Sequence, residues 1–232
     1  MQKVGIIGGL GPEATMMYYQ GIIQRYQARQ HSQTDLPELL INSVNMYHLF
    51  ALLDQPDYPA AATYLAQAAN ELARAGADFA VMCGNTPHIV FDEIAAQSQI
   101  PLINMVTATA ESAQAQHLHN LLLLGTKFTM SQAFFKQPFE QLGINIIVPT
   151  PAQQTTVHQH IVAELENGIV QPATKQWFLA LIQAMAKTQQ IDGVILGCTE
   201  LPLLLKPADL ALPLLDTAEI HLDRIVNRLF ER

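Results

Sequence analysis

The chain has 232 residues, half of them hydrophobic and only 14% charged, with a formal net charge of −8. That is enough apolar material for one large core or two small ones, while twelve scattered Lys and Arg residues exclude a phosphate-backbone partner, which needs clustered cations. No run approaches the roughly eighteen apolar residues of a membrane span, the opening MQKVGIIGGLGPEAT breaks into glycines where a secretory leader would continue, and two cysteines build no disulfide framework. A cytoplasmic protein with no nucleic-acid or membrane partner is expected.

Short β-branched or leucine-rich runs alternate with amphipathic stretches, the signature of βα units on parallel sheets, so the fold class is α/β. Strands are expected at 3–8, 39–45, 78–83, 101–105, 121–125, 145–148, 192–197 and 212–215. After the first, Gly9, Gly11 and Ala14 fit the G-x-G-x-x-A of a dinucleotide loop. The second strand, however, ends near Asn45 with no acid for a ribose, and Pro12 removes an N–H from the helix start, which favours a plain tight turn. Ala62, Leu65, Ala69, Leu72 and Ala73 recur at helical spacing over 59–75. His158 and His160 are two apart, hence on different faces of a helix; this points to a solvated helix and not to a metal pair. Asp223 and Arg224 read as a solvated face of a last helix over 217–230.

The halves of the chain repeat each other. GADFAVMCGNTPH matches IDGVILGCTELP, with Asp78 six residues before Gly84 and Asp192 six before Cys198. Pro101 to Asn104 answers Pro213 to Asp216, and the strand ending at Gly8 answers the one ending at Gly125. A duplicated α/β domain places equivalent loops at the carboxyl ends of two sheets, where open sheets bind ligands. The expected architecture is two pseudo-symmetric parallel-sheet α/β domains, 1–101 with 208–232 and 102–207, with an active-site cleft between them, the final helix returning to the first domain.

Cys198 stands in GCTEL after the strand at 192–197 and before Pro202. A following helix amino terminus would lower its pKa and suit a nucleophile or general base; the alternative is a small buried hydrophobe. Inverting a carbon needs a base on one face and an acid on the other, and two equivalent loops can supply both. A carbanion without an electron sink needs converging donors, for which Asn85, Thr86, Thr199 and the backbone N–H groups of both loops are candidates. Glu200 could orient a substrate ammonium group or cap the following helix.

IGGLGPEAT near the start, GNTPH at 84–88, GTKFTM at 125–130, IVAELENG at 161–168 and GCTEL at 197–201 together resemble the aspartate/glutamate racemases over nearly the whole chain. The resemblance implies a racemase that interconverts L- and D-amino acids, aspartate or glutamate first, by thiolate-mediated α-proton transfer, with no cofactor and no metal. It implies two thiols on opposite sides of the α-carbon, a homodimer, and substrate contacts from the loops carrying Gly11, Gly84, Asn85, Thr86, Thr126, Thr129, Thr199 and Glu200.

The chain departs from the family in three places. The motif cysteine before Asn-Thr is Gly84, with Cys83 one residue earlier. Alternation along a strand turns Cys83 the other way, yet the glycine could re-aim the backbone, so Cys83 is the expected second catalytic residue, with a core cysteine, a water, Thr86 or His88 as alternatives. The usual Arg or Gln after the second strand is missing, leaving Asn45, His48 and Gln55, and Glu166 occupies the place of a lysine. Both of these changes remove positive charge. A single-cysteine decarboxylase of malonate-type acids and an inactive amino-acid-binding relative are the alternative functions.

Overall fold

The computed structural model describes residues 1–231 and divides into two compact units, Met1–Met105 with the segment from His221 onward, and Val106–Ile220. Each is a parallel α/β sheet.

In the first unit β1 (Val4–Gly8), α1 (Pro12–Gln30), β2 (Leu39–Ser43), α2 (Met46–Asp54), α3 (Tyr58–Arg74), β3 (Phe79–Met82) and α4 (Phe91–Gln97) follow in turn, with strand order β2-β1-β3. β1 and β3 are buried along their whole length, as continuous apolar runs between helices must be. β2 lies at the edge and is half exposed. The buried alanines and leucines of α3, from Ala61 to Leu72, pack with Ile7, Ala80 and Met82 in one core.

The expected strand at 101–105 is reduced to one bridge, Leu102 beside Ala80. Only Pro101 O and the Ile103 N–H bond to Ala80, and α5 (Met105–Ala115) begins too soon for the ladder to extend.

The second unit runs through β4 (Asn120–Leu124), α6 (Lys127–Ser131), α7 (Ala133–Gln141), β5 (Asn145–Ile147), α8 (Pro151–Ala163), α9 (Pro172–Gln189), β6 (Gly193–Leu196), α10 (Leu201–Leu204) and β7 (Leu214–Asp216). Its order β5-β4-β6-β7 repeats that of the first sheet and completes the fourth strand. Leu121 to Leu124, Val194 and Ile195 are wholly buried. The repeated aspartates do the same work in both units: Asp78 accepts from Lys3 N at 2.6 Å, and Asp192 accepts from the His119 and Asn120 N–H groups at 2.8 and 2.9 Å. Each thereby satisfies main-chain donors where the central strand begins.

The chain leaves the second unit later than 208, the position expected from the sequence. β7 pairs with β6, Leu196 opposite Asp216, and Thr217 donates to the Leu196 carbonyl at 3.1 Å. These bonds hold the segment up to Ile220 in the second unit. Along α11 (Thr217–Leu229), Leu222, Ile225 and Leu229 form a buried stripe. Among the described residues no helix is long and apolar enough to cross a membrane.

Candidate active site

In the second unit the carboxyl ends of β4 and β6 lie side by side. The Gly197 N–H donates to Leu124 O at 2.7 Å, and a Cβ added at Gly125 would lie 3.1 Å from Gly197 O, so the two loops approach backbone to backbone. Thr126 caps α6, its hydroxyl accepting from Thr129 N at 3.3 Å and lying 3.2 Å from Thr129 Oγ1. Thr129 is buried. Thr126, Thr129, Cys198, Thr199 and Glu200 are thus gathered at one end of one sheet.

The Cys198 sulfhydryl donates to Glu200 Oε2 at 2.8 Å, and Thr199 Oγ1 donates to Glu200 Oε1 at 2.8 Å. Both carboxylate oxygens are engaged, which fixes the carboxylate against the sulfur. Glu200 makes no side-chain cap to α10, so the capping role expected of it is not the one it plays. The lowered thiol pKa expected at Cys198 is also corrected. Burial first, then the negative charge of Glu200 and its hydrogen bond, push the Cys198 thiol well above the usual range. The following helix has only four residues and begins beyond Glu200, too short and too far to offset an adjacent carboxylate. Burial and Glu200 also raise the Glu166 carboxyl.

In the first unit the corresponding loops follow β1 and β3. Gly9, at φ +73°, accommodates the Val44 carbonyl where a Cβ would otherwise stand, and Thr15 closes the turn by accepting from Gly9 N at 2.9 Å and donating to Gly11 O at 3.0 Å. Gly11 is the N-cap of α1. Gly84 has φ +155°, and a Cβ built on it would lie 3.5 Å from Leu10 O and 3.9 Å from Pro87 Cδ. A side chain at 84 has room, although the backbone there favours glycine. Asn85 is buried and Thr86 half-buried in the turn that follows.

Cys83 is 0% exposed, its N–H donates to Ile7 O at 3.3 Å, and burial alone pushes its thiol far up. Gly84 does not turn it to the surface. His88, weighed as an alternative acid, is buried too, its ring bonded to Gly84 O at 2.9 Å and to Met105 N at 3.1 Å. Burial lowers its pKa to about 4, against the pull of the Gly84 and Asn85 carbonyls. Behind it His221 is lowered to about 3, by burial first and by His88 second, and bonds Tyr18 Oη at 2.8 Å. Sequence reasoning missed His221 and Tyr18; a histidine on the apolar stripe of the last helix was the available signal.

The residues weighed as a side-chain clamp are occupied locally. Asn45 caps α2 through Tyr47 N and His48 N, His48 packs edge-on against Tyr64 at 4.8 Å, and Gln55 ends α2. His160, expected on a solvated face, bonds Glu164 at 2.9 Å, and Thr174 donates to the same carboxylate at 2.6 Å. Among the described residues no three His, Cys, Asp or Glu side chains are grouped to hold a metal ion. A cavity of about 340 Å³ lined by Lys3, Tyr19 and Leu39 opens in the first unit, at the amino ends of β1 and β2, away from these loops.

Residues 7–225 match the family model described as Asp/Glu/Hydantoin racemase. The chain is 26% identical to the broad specificity amino-acid racemase RacX of Bacillus subtilis (strain 168), over 93% of this chain and 92% of that protein. Among solved structures, a candidate Asp/Glu racemase from Yersinia pestis aligns with a TM-score of 0.94 at 33% identity, and an aspartate racemase homologue from Pyrococcus horikoshii OT3 with 0.90 at 35%, each alignment covering 100% of both chains.

Proposed function

The chain belongs to the Asp/Glu/Hydantoin racemase family, and on that premise we propose that it racemises a free amino acid, aspartate or glutamate first, without a cofactor and with Cys198 as the acid/base on one face of the α-carbon. The observation that carries this reading is the Cys198–Glu200 pair, a thiol and a carboxylate 2.8 Å apart at the carboxyl end of β6. Glu200 accepts the thiol proton, and the thiolate then takes the α-proton, so that an S–H bond breaks as an O–H bond forms and is remade as the C–H bond breaks. The carbanion is protonated on its other face; Glu200 then releases its proton to water and the group that protonated the carbanion regains one from water, so each passage ends with the thiol–carboxylate pair restored. A raised thiol pKa suits this task, because the thiolate once formed is a strong base toward a weakly acidic α-carbon.

Thr126 and main-chain N–H groups are the donors we assign to the substrate carboxylate on the Cys198 side, where developing charge must be met; the Thr199 hydroxyl hydrogen is given to Glu200. Proton delivery to the carbanion is assigned to the Gly84–Thr86 loop, through the Thr86 hydroxyl or a water, and Gly11 is assigned a substrate contact. Cys83 belongs to the core in this reading. The setting is cytoplasmic, in keeping with two free cysteines, and the working form is a homodimer of 25.6 kDa chains.

The test is incubation of the chelator-treated protein, with no pyridoxal phosphate added, with each enantiomer of a panel of amino acids, followed by chiral chromatography. Convergence of both enantiomers on one mixture, lost in Cys198→Ser, is expected. Carbon dioxide release from substituted malonates without inversion of any amino acid would replace the racemase with a decarboxylase, and amino-acid binding without turnover would replace it with a binding protein.

A further inference from the structure

His88 occupies the short turn Thr86–Val90 and is 3% exposed. Its Nε2 lies 3.1 Å from the Met105 N–H. A main-chain N–H can only donate, so Nε2 accepts and carries no hydrogen; the ring proton is therefore on Nδ1, which donates to Gly84 O at 2.9 Å. Both ring nitrogens are spent on the main chain, leaving no proton to give a substrate. The ring is held from behind, lying parallel to Phe91 at 5.6 Å and edge-on to His221 at 6.4 Å. His221 is itself tied to the Tyr18 hydroxyl.

The Gly84 carbonyl shares one planar trans peptide with the Asn85 N–H, so the two point in opposite directions. Holding that carbonyl toward His88 aims the Asn85 N–H away from it and sets the course of the chain into Thr86. Gly84 by itself would leave this peptide free to rotate.

We infer that His88 is a positioning residue for inversion, clamping the Gly84 peptide and so fixing the Gly84–Thr86 loop for proton delivery. This inference rests on the racemase reading. His88 acts through the loop and touches no reacting atom.

The test uses two substitutions that each keep one half of the clamp. In His88→Asn the amide nitrogen stands near the place of Nδ1 and can still bond Gly84 O; in His88→Gln the amide oxygen stands near Nε2 and keeps the Met105 bond. Each is followed in deuterium oxide by NMR and chiral chromatography, so that α-proton exchange with retention is separated from inversion. His88→Asn should keep inversion within about threefold of the wild type, whereas His88→Gln should lose about tenfold or more, the scale at which a displaced group costs rate. The enantiomer that Cys198 deprotonates should still exchange with retention in His88→Gln. A plain loss of folded protein would lower exchange and inversion together, and that parallel loss, or equal behaviour of Asn and Gln, overturns the inference. Should neither variant fold, Tyr18→Phe removes only the hydroxyl behind His221: inversion slowed with exchange intact supports the clamp, and unchanged or parallel rates overturn it. An absence of exchange in the wild type would sink the racemase reading itself, and is told apart because it needs no variant.

Discussion

The Cys198 sulfhydryl donates to the carboxylate of Glu200, 2.8 Å away, and burial together with that negative charge raises the thiol pKa well above its usual range. In the proposed mechanism the same carboxylate receives the thiol proton. Replacing Glu200 with Gln should therefore separate two properties that usually move together. The thiol pKa falls, so that alkylation by iodoacetamide reaches half its maximal rate at lower pH, while kcat for racemisation drops about 10- to 100-fold, the range of a lost general-base contribution. Alkylation and turnover shifting in the same direction would contradict the assignment.

Cys83→Ala should leave kcat and KM within about twofold and cost about 1–2 kcal/mol of stability, the effect of deleting a small buried group. Its thiol is 0% exposed. Urea denaturation beside a turnover assay measures both, and a large loss of turnover with unchanged stability would return Cys83 to the chemistry.

Gly84→Cys places a thiol where the family motif has one. The added Cβ meets Leu10 O at 3.5 Å and Pro87 Cδ at 3.9 Å, both ordinary contacts, so the cost lies in the backbone at φ +155°. That strain is about 1 kcal/mol or somewhat more. The expected outcome is faster inversion, by about tenfold if proton delivery to the second face limits the wild type, at a lower melting temperature. A variant that folds and gains nothing would show that another group already serves this face well.

Two buried neutral histidines should make the protein acid-labile. His88 and His221 have folded pKa values lowered to about 4 and about 3 from the ordinary 6.5. As the pH falls below 6.5 the unfolded chain takes up protons that the folded chain refuses, so their contribution is full above that value and is lost progressively toward pH 4. The slope approaches about 1.4 kcal/mol per pH unit for each histidine. Urea midpoints at pH 7.5 and 5.0 measure it, and the difference should shrink in His221→Asn.

The βα alternation and the repeat were legible because they depend on local pattern. The matched Asp78 and Asp192 even perform the same main-chain bonding in both units. The expected strand at 101–105 was not realised, because strand length depends on how many ladder bonds the neighbour offers, and Ala80 offers one bridge. The return of the chain at 208 failed for a related reason: an apolar strand such as Leu214–Asp216 fits the edge of either sheet, and pairing with β6 decides it. At Cys198 the sequence showed a helix start and not the direction of the Glu200 side chain, which turns back to the sulfur instead of capping α10. The His88–His221–Tyr18 cluster joins three distant segments and becomes visible only when α11 packs against α1.

That Cys198 moves the α-proton is tested by NMR in deuterium oxide of the α-proton signal of each enantiomer of aspartate and glutamate, with wild type and Cys198→Ser side by side. Wild-type exchange accompanied by inversion, with exchange of at least one enantiomer falling by about 100-fold or more in Cys198→Ser, is the predicted result. Exchange that survives the loss of the thiol, or a wild type that exchanges no α-proton with any amino acid, would contradict it.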